Sequence, residues 1–191
     1  KGISDAFNKG IKMASGTLIG LINADDELLP ETSEILKNEC KKIDVDIYYG
    51  NCYWVDSERN LEYVSKPKHD LSKLLYNMVL IHPSTFVKKK AYEECGLFDV
   101  TYKYCMDKEL LYRMYKAGKK FDYIDQCLTK FKAGGVSDTH SKAVFKEGSR
   151  MALSYGEPQI KVKSIEIIKT VRNQMVNMIK GMRVYRVLKG I

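Results

Sequence analysis

The sequence predicts an α/β protein built of layered helices and strands, and three observations carry that expectation. Short apolar runs rich in β-branched and aromatic residues alternate with segments of helical spacing, and glycines follow several of the helical segments. No stretch approaches the roughly 20 apolar residues that a membrane-spanning helix needs. At 191 residues, 45% hydrophobic and 29% charged, with 13 Gly and 4 Pro, the chain can bury a core, and bulk disorder and fibre are excluded.

Ser4 is expected to cap a first helix in which Phe7, Ile11 and Ala14 keep helical spacing and which Gly16 ends. Thr17 to Ile22 reads as a buried strand that delivers the chain to Asn23-Ala24-Asp25-Asp26. Pro30 opens a second helix containing Ile35, Leu36 and Cys40, and Ile47 to Val55 reads as a strand. Leu71 to Asn77 is expected to be helical, Pro83 to Lys88 extended, and Lys89 to Cys95 helical with Gly96 as its stop. From Asp107 to Ala117, Leu110, Leu111, Met114 and Ala117 share one helix face ahead of Gly118. Phe121 to Ile124 and Leu128 to Phe131 read as two short strands before the loop Ala133-Gly134-Gly135-Val136-Ser137. The one candidate boundary, near Gly156-Glu157-Pro158, separates a body of residues 1–157 from a tail of residues 158–191.

Charge divides the chain in the same way. From Gln159 to Ile191 eight basic residues face the single acid Glu166, a net +7, which leaves about +1 of the total +8 for the other 158 residues. A nucleic-acid-coating protein would spread its cations over the domain, so nucleic acid is not an expected partner. In the tail, Ile165, Ile168, Val171, Met175, Ile179 and Met182 recur at steps of three or four, a helical stripe with most cations elsewhere. Such a helix either packs its stripe on the body or lies on an anionic membrane. Five cysteines, with no Cys-x-x-Cys pair, indicate neither a disulfide framework nor a zinc site and fit a reducing cytoplasm.

Four positions carry candidate chemistry. Asp25 and Asp26 are adjacent acids in a turn after a strand; they suit a hard divalent cation, Mg²⁺ or Mn²⁺, completed by water and phosphate oxygens, and equally suit a plain polar turn or helix cap. Asp107 at a helix start is a candidate general base, or a carboxylate placed for the macrodipole. His82, in His82-Pro83-Ser84-Thr85-Phe86, is a candidate for catalysis or for packing. Gly134-Gly135 brings backbone N–H groups toward a phosphate or makes a tight turn.

Five blocks in order resemble family 2 glycosyltransferases of the GT-A fold. They are Lys1-Gly2-Ile3-Ser4-Asp5-Ala6-Phe7-Asn8-Lys9-Gly10-Ile11 with the later Ile22-Asn23-Ala24-Asp25-Asp26; His82-Pro83-Ser84-Thr85-Phe86; Gly96-Leu97-Phe98-Asp99; Met106-Asp107-Lys108-Glu109-Leu110-Leu111-Tyr112-Arg113; and Gly134-Gly135-Val136-Ser137. The resemblance implies a mixed sheet flanked by helices, followed here by the amphipathic helix. It implies metal binding by Asp25 and Asp26, and donor diphosphate or sugar binding by Gly2, Asp5, Asn8, Asn23 and Asp25. Asp107 falls on the catalytic base, and His82, Gly134, Gly135 and Ser137 on the acceptor side or its loops. Asn23 stands where many relatives carry an acid. Relatives also carry a strand, a helix and a second strand ahead of the point matching Lys1, so the resemblance covers the C-terminal two-thirds of such a domain, with those N-terminal strands missing.

The implied reaction is hexosyl transfer, with inversion, from a nucleotide-diphosphate sugar, UDP-linked by expectation, to a saccharide or lipid-linked acceptor hydroxyl. The implied setting is bacterial surface polysaccharide or glycolipid synthesis, in the cytoplasm or at the inner face of the plasma membrane. Two other readings stand beside it: a metal-dependent phosphoryl hydrolase using Asp25 and Asp26, and a noncatalytic binding or scaffolding fragment.

Overall fold

The computed structural model of the chain describes residues 2–42, 44–56, 60–132, 134 and 140–181, which form two compact units dividing at Gly134/Gly135. The sequence boundary at 157/158 falls inside the second unit, between its two helices.

In the first unit the elements are α1 (Ile3–Met13), β1 (Leu18–Gly20), β2 (Glu27–Leu28), α2 (Thr32–Glu39), β3 (Ile47–Asp56), β4 (Leu61–Ser65), β5 (Thr85–Lys88), α3 (Lys89–Cys95), α4 (Met106–Lys116) and β6 (Phe121–Lys132). Two 3₁₀ turns, Leu71–Leu75 and His82–Ser84, lie between β4 and β5. The sheet runs β1-β5-β3-β6-β2, with β4 also pairing β3. Only β3 and β6 are parallel, so the sheet is mixed. One edge of β3 serves β5 at Ile47 to Tyr49 and then β4 at Cys52 to Asp56.

The sheet's core forms where α2 covers it. Leu36, Tyr48, Phe86, Ile124 and Leu128 are buried together, with Leu18, Ile35, Cys40 and Val45 packed around them. Gly50 is required here: a Cβ at that position would lie 2.6 Å from Leu128 Cδ1. Thr32 at the start of α2 donates its hydroxyl to the Leu128 carbonyl at 2.5 Å, tying the helix to β6.

Several expectations change at the element ends. Ser4 does not cap α1: the helix begins at Ile3 behind Gly2, whose φ of 101° suits a residue without a Cβ. The Ser4 hydroxyl is turned inward to the Tyr102 carbonyl and the Met106 sulfur. The two short strands expected around Asp125 and Gln126 are one strand, because a register irregularity against Gly50 to Cys52 absorbs the polar pair without ending the pairing. Pro83 and Ser84 belong to a 3₁₀ turn, and β5 begins only at Thr85. β2, β4 and the helix Ser141–Ser154 have no counterpart in the sequence reading.

The second unit is a helical hairpin of α5 (Ser141–Ser154) and α6 (Gln159–Gly181). Ser149 donates to Glu166 at 2.6 Å and Asn173 to Ser141 at 2.9 Å, pairings that require antiparallel helices. Gly156, at φ 83°, makes the turn between them.

Candidate active site

The turn after β1 divides its two acids. Asp26 is 8% exposed, and each of its oxygens has a partner: Asn23 Nδ2 donates to Oδ2 at 2.9 Å and the Lys132 amide to Oδ1 at 3.1 Å. The Asp26 amide also donates to the Asn23 carbonyl, closing the turn. Asp25 is exposed. The pair is therefore one fixed carboxylate beside one in solvent, and neither caps α2, which starts behind Glu31.

Asp107 lies one residue inside α4, behind Met106, with Cys105 at the cap position. Its Oδ1 accepts the Lys108 amide at 2.7 Å, so the carboxylate is held among the free N–H groups of the first turn. One narrow cleft is lined by Leu21, His82, Thr85, Phe98, Asp107 and Leu110. The structure thus brings together His82 and Asp107, which are 25 residues apart in sequence.

The His82 ring stacks on Phe7 of α1, with centroids 5.6 Å apart and planes 19° apart. Enclosure pulls its pKa below the ordinary 6.5, because the surrounding protein disfavours the charged ring; the Asp107 and Asp26 carboxylates oppose the shift and do not cancel it. That Asp26 acts on His82 links the turn after β1 to the cleft.

The remaining candidates have distinct placements. Asn8 exchanges two hydrogen bonds with the backbone of Phe98, at 2.9 Å each, and so holds α1 to the Gly96-Leu97-Phe98 segment. Asp5 pairs with Lys9 at 2.9 Å along α1. Gly2 supplies the helix entry and its carbonyl accepts the Ala6 amide. Gly134 follows β6 at φ 99°, while Gly135 and Ser137 lie outside the described residues.

The sequence reading missed the supports. Arg113 donates Nε and Nη2 to the two oxygens of Glu109, at 3.0 and 2.9 Å, and reaches on to the carbonyls of Cys95 and Leu97. Glu109 is 5% exposed, so this bidentate pair fixes the loop after α3 against the helix that carries Asp107. The i,i+4 spacing of Glu109 and Arg113 was the available signal. Phe7 gave none, since its partner is 75 residues away.

Among the described residues, no group of three or more His, Cys, Asp or Glu side chains could hold a metal ion. The donor chemistry nonetheless fits a hard cation: each Asp26 oxygen accepts one hydrogen bond, from Asn23 and from the Lys132 amide, and a carboxylate oxygen has room for a further partner, while Asp25 is open to solvent. A divalent ion there would draw its other ligands from water and phosphate oxygens, the habit of Mg²⁺.

Comparison with known proteins accounts for the mixed sheet with its flanking helices. The chain is 28% identical over 131 residues to the uncharacterized glycosyltransferase MJ1057 of Methanocaldococcus jannaschii, a match over 65% of this chain and 45% of that protein. Among solved structures it is similar to S. aureus TarS 1-349, at a TM-score of 0.60 and 14% identity over 98% of this chain and 57% of that one. Structures of the same protein with UDP and with UDP-GlcNAc match at a TM-score of 0.58 each, at 14% and 13% identity over 97% of this chain, covering 53% and 55% of those chains. The chain therefore spans about half the length of the relatives it matches, and the likeness to TarS shows the GT-A-like fold, a mixed sheet with flanking helices. The family model described as glycosyl transferase family 2 matches residues 1–96, which hold α1, the Asn23 to Asp26 turn and His82 and end before α4; on that match, over half of its residues, the chain belongs to glycosyl transferase family 2.

Proposed function

We propose that this chain carries the metal-side and acceptor-side parts of an inverting hexosyltransferase that uses a UDP-sugar. The observation that carries the reading is the cleft in which His82 and Asp107 meet, within electrostatic reach of Asp26. The solved relative's complexes with UDP and UDP-GlcNAc support the choice of donor.

In the proposed step, an acceptor hydroxyl in the cleft gives its proton to an Asp107 oxygen as its own oxygen bonds to the anomeric carbon. The bond from that carbon to the diphosphate oxygen breaks, and the electron pair leaves with the nucleoside diphosphate. Inversion follows because entry and departure are on opposite faces. Asp107 suits the base because the helix N-terminus holds its carboxylate in one place. Neutral His82 adds no competing cation and orients the acceptor by hydrogen bonding. Asp25 and Asp26 would hold Mg²⁺ or Mn²⁺, which supplies charge stabilisation for the departing diphosphate. Gly2, Asp5, Asn8 and Asn23 belong to the donor side, with Asn8 acting through Phe98. The acceptor is a saccharide or lipid-linked saccharide of surface polysaccharide or glycolipid synthesis, met in the cytoplasm at a membrane face to which residues 159–191 attach.

The test is Asp107→Asn in the full-length protein. Turnover is expected to fall by roughly 10²–10⁴ with donor affinity retained. Normal turnover would reduce Asp107 to a helix-start carboxylate, and Glu109 could not replace it, since Arg113 holds both of its oxygens.

A further inference from the structure

Three aromatic side chains lie side by side at the end of the sheet next to the Asp26 turn. Trp54 of β3 pairs in register with Tyr63 of β4 on one side and Phe131 of β6 on the other. The Trp54 and Tyr63 rings are 6.3 Å apart and inclined by only 20°, and Trp54 and Phe131 are 4.6 Å apart and tilted by 44°. Residues paired across adjacent strands point to one face, so the three rings form a single row. They are not core: Tyr63 is 53% exposed, and Trp54 and Phe131 are half-buried. Along the same face, Asp56 lies two residues beyond Trp54 and Ser65 two residues beyond Tyr63 in the opposite direction along the strands, so oxygens flank the row on its two long sides. At the other margin, Phe131 is followed directly by Lys132, whose amide holds Asp26.

We infer that this row is a saccharide subsite that takes the sugar rings of the acceptor. A pyranose presents an apolar C–H face and a rim of hydroxyls, and it matches a strip of aromatic rings, the Trp54 and Tyr63 pair near-parallel, flanked by polar oxygens; a protein partner's apolar core has no use for that rim. Because the row ends one residue from the anchor of Asp26, a sugar chain lying on it leads toward the transfer site. This inference rests on the proposed sugar transfer and adds where the acceptor chain lies.

Trp54 is the only tryptophan, so its emission reports on the row directly. The chain is titrated with cellotriose, with chitotriose and with UDP while Trp54 fluorescence is followed. A saturable change with at least one trisaccharide and none with UDP is expected. Tyr63→Ala, at an exposed position that leaves the fold intact by circular dichroism, should weaken the trisaccharide about tenfold, the size of one ring contact. Silence toward both sugars, a response to UDP, an unchanged titration in Tyr63→Ala, or burial of Trp54 in a concentration-dependent dimer would each overturn the inference. Binding is read here without turnover, so a failure differs from a failure of sugar transfer, which the Asp107 variant reports.

Discussion

At His82, enclosure and charge pull in opposite directions, and enclosure prevails. The folded pKa lies below the unfolded value of about 6.5, so the unfolded chain binds the proton more readily. The stability that comes from a neutral His82 is therefore complete above the unfolded value and is lost as pH falls through the folded one. Urea unfolding at about pH 7.5 and about pH 5.5 should show the native protein losing more stability than His82→Asn over that interval; parallel losses would show that His82 is not the group responsible. The sequence indicated a histidine beside two hydroxyls and an acid pair after a strand, and both are in place. It could not show that Phe7 covers the ring or that Asn23 and Lys132 engage one acid while its neighbour faces solvent, because those partners come from separate elements.

The helix α4 illustrates what periodicity can and cannot deliver. Its expected span, Asp107 to Ala117, agrees with Met106–Lys116 to within a residue because Leu110, Leu111 and Met114 keep one buried face and Gly118, at φ 75°, ends it. β2 escaped notice because its two exposed residues become a strand only through Lys130 and Thr129 of β6, and β4 because most of its residues are exposed and lack a buried face. What makes α4 a platform is Arg113, which joins Glu109 to the loop after α3. Arg113→Met should cost about 3 kcal/mol in denaturant unfolding, since it leaves the Glu109 carboxylate enclosed without its partner. Adding Glu109→Gln should recover part of that loss by removing the charge that Arg113 no longer offsets, and a double-variant cost equal to the sum of the two single-variant costs would show that the pair is not coupled.

For the whole molecule, the comparisons account for the fold of the first unit, whereas the second unit raises a question of charge and exposed area. Ile160, Ile167, Ile168, Val171, Met175 and Met178 of α6 are between 46% and 83% exposed, on the side of the helix away from Glu166 and Asn173, which bond α5. The face is broader than the stripe expected from sequence: Ile165 is half-buried and Met182 lies outside the described residues. No described helix is long and apolar enough to cross a membrane. On the proposed membrane attachment, the +7 charge of residues 159–191 would favour an anionic surface, at about 1 kcal/mol for each cation near the headgroups, and the apolar face would add a contribution that salt does not screen. Co-sedimentation of the whole chain should therefore be strong with anionic vesicles and weak with neutral ones, and salt should lower it only in part. Ile168→Glu with Met175→Glu, at positions already in solvent, should leave the helical signal intact and remove the salt-resistant fraction. Equal recovery with both kinds of vesicle would rule out the electrostatic anchor, and no effect of the two glutamates would show that this apolar face does not meet the bilayer.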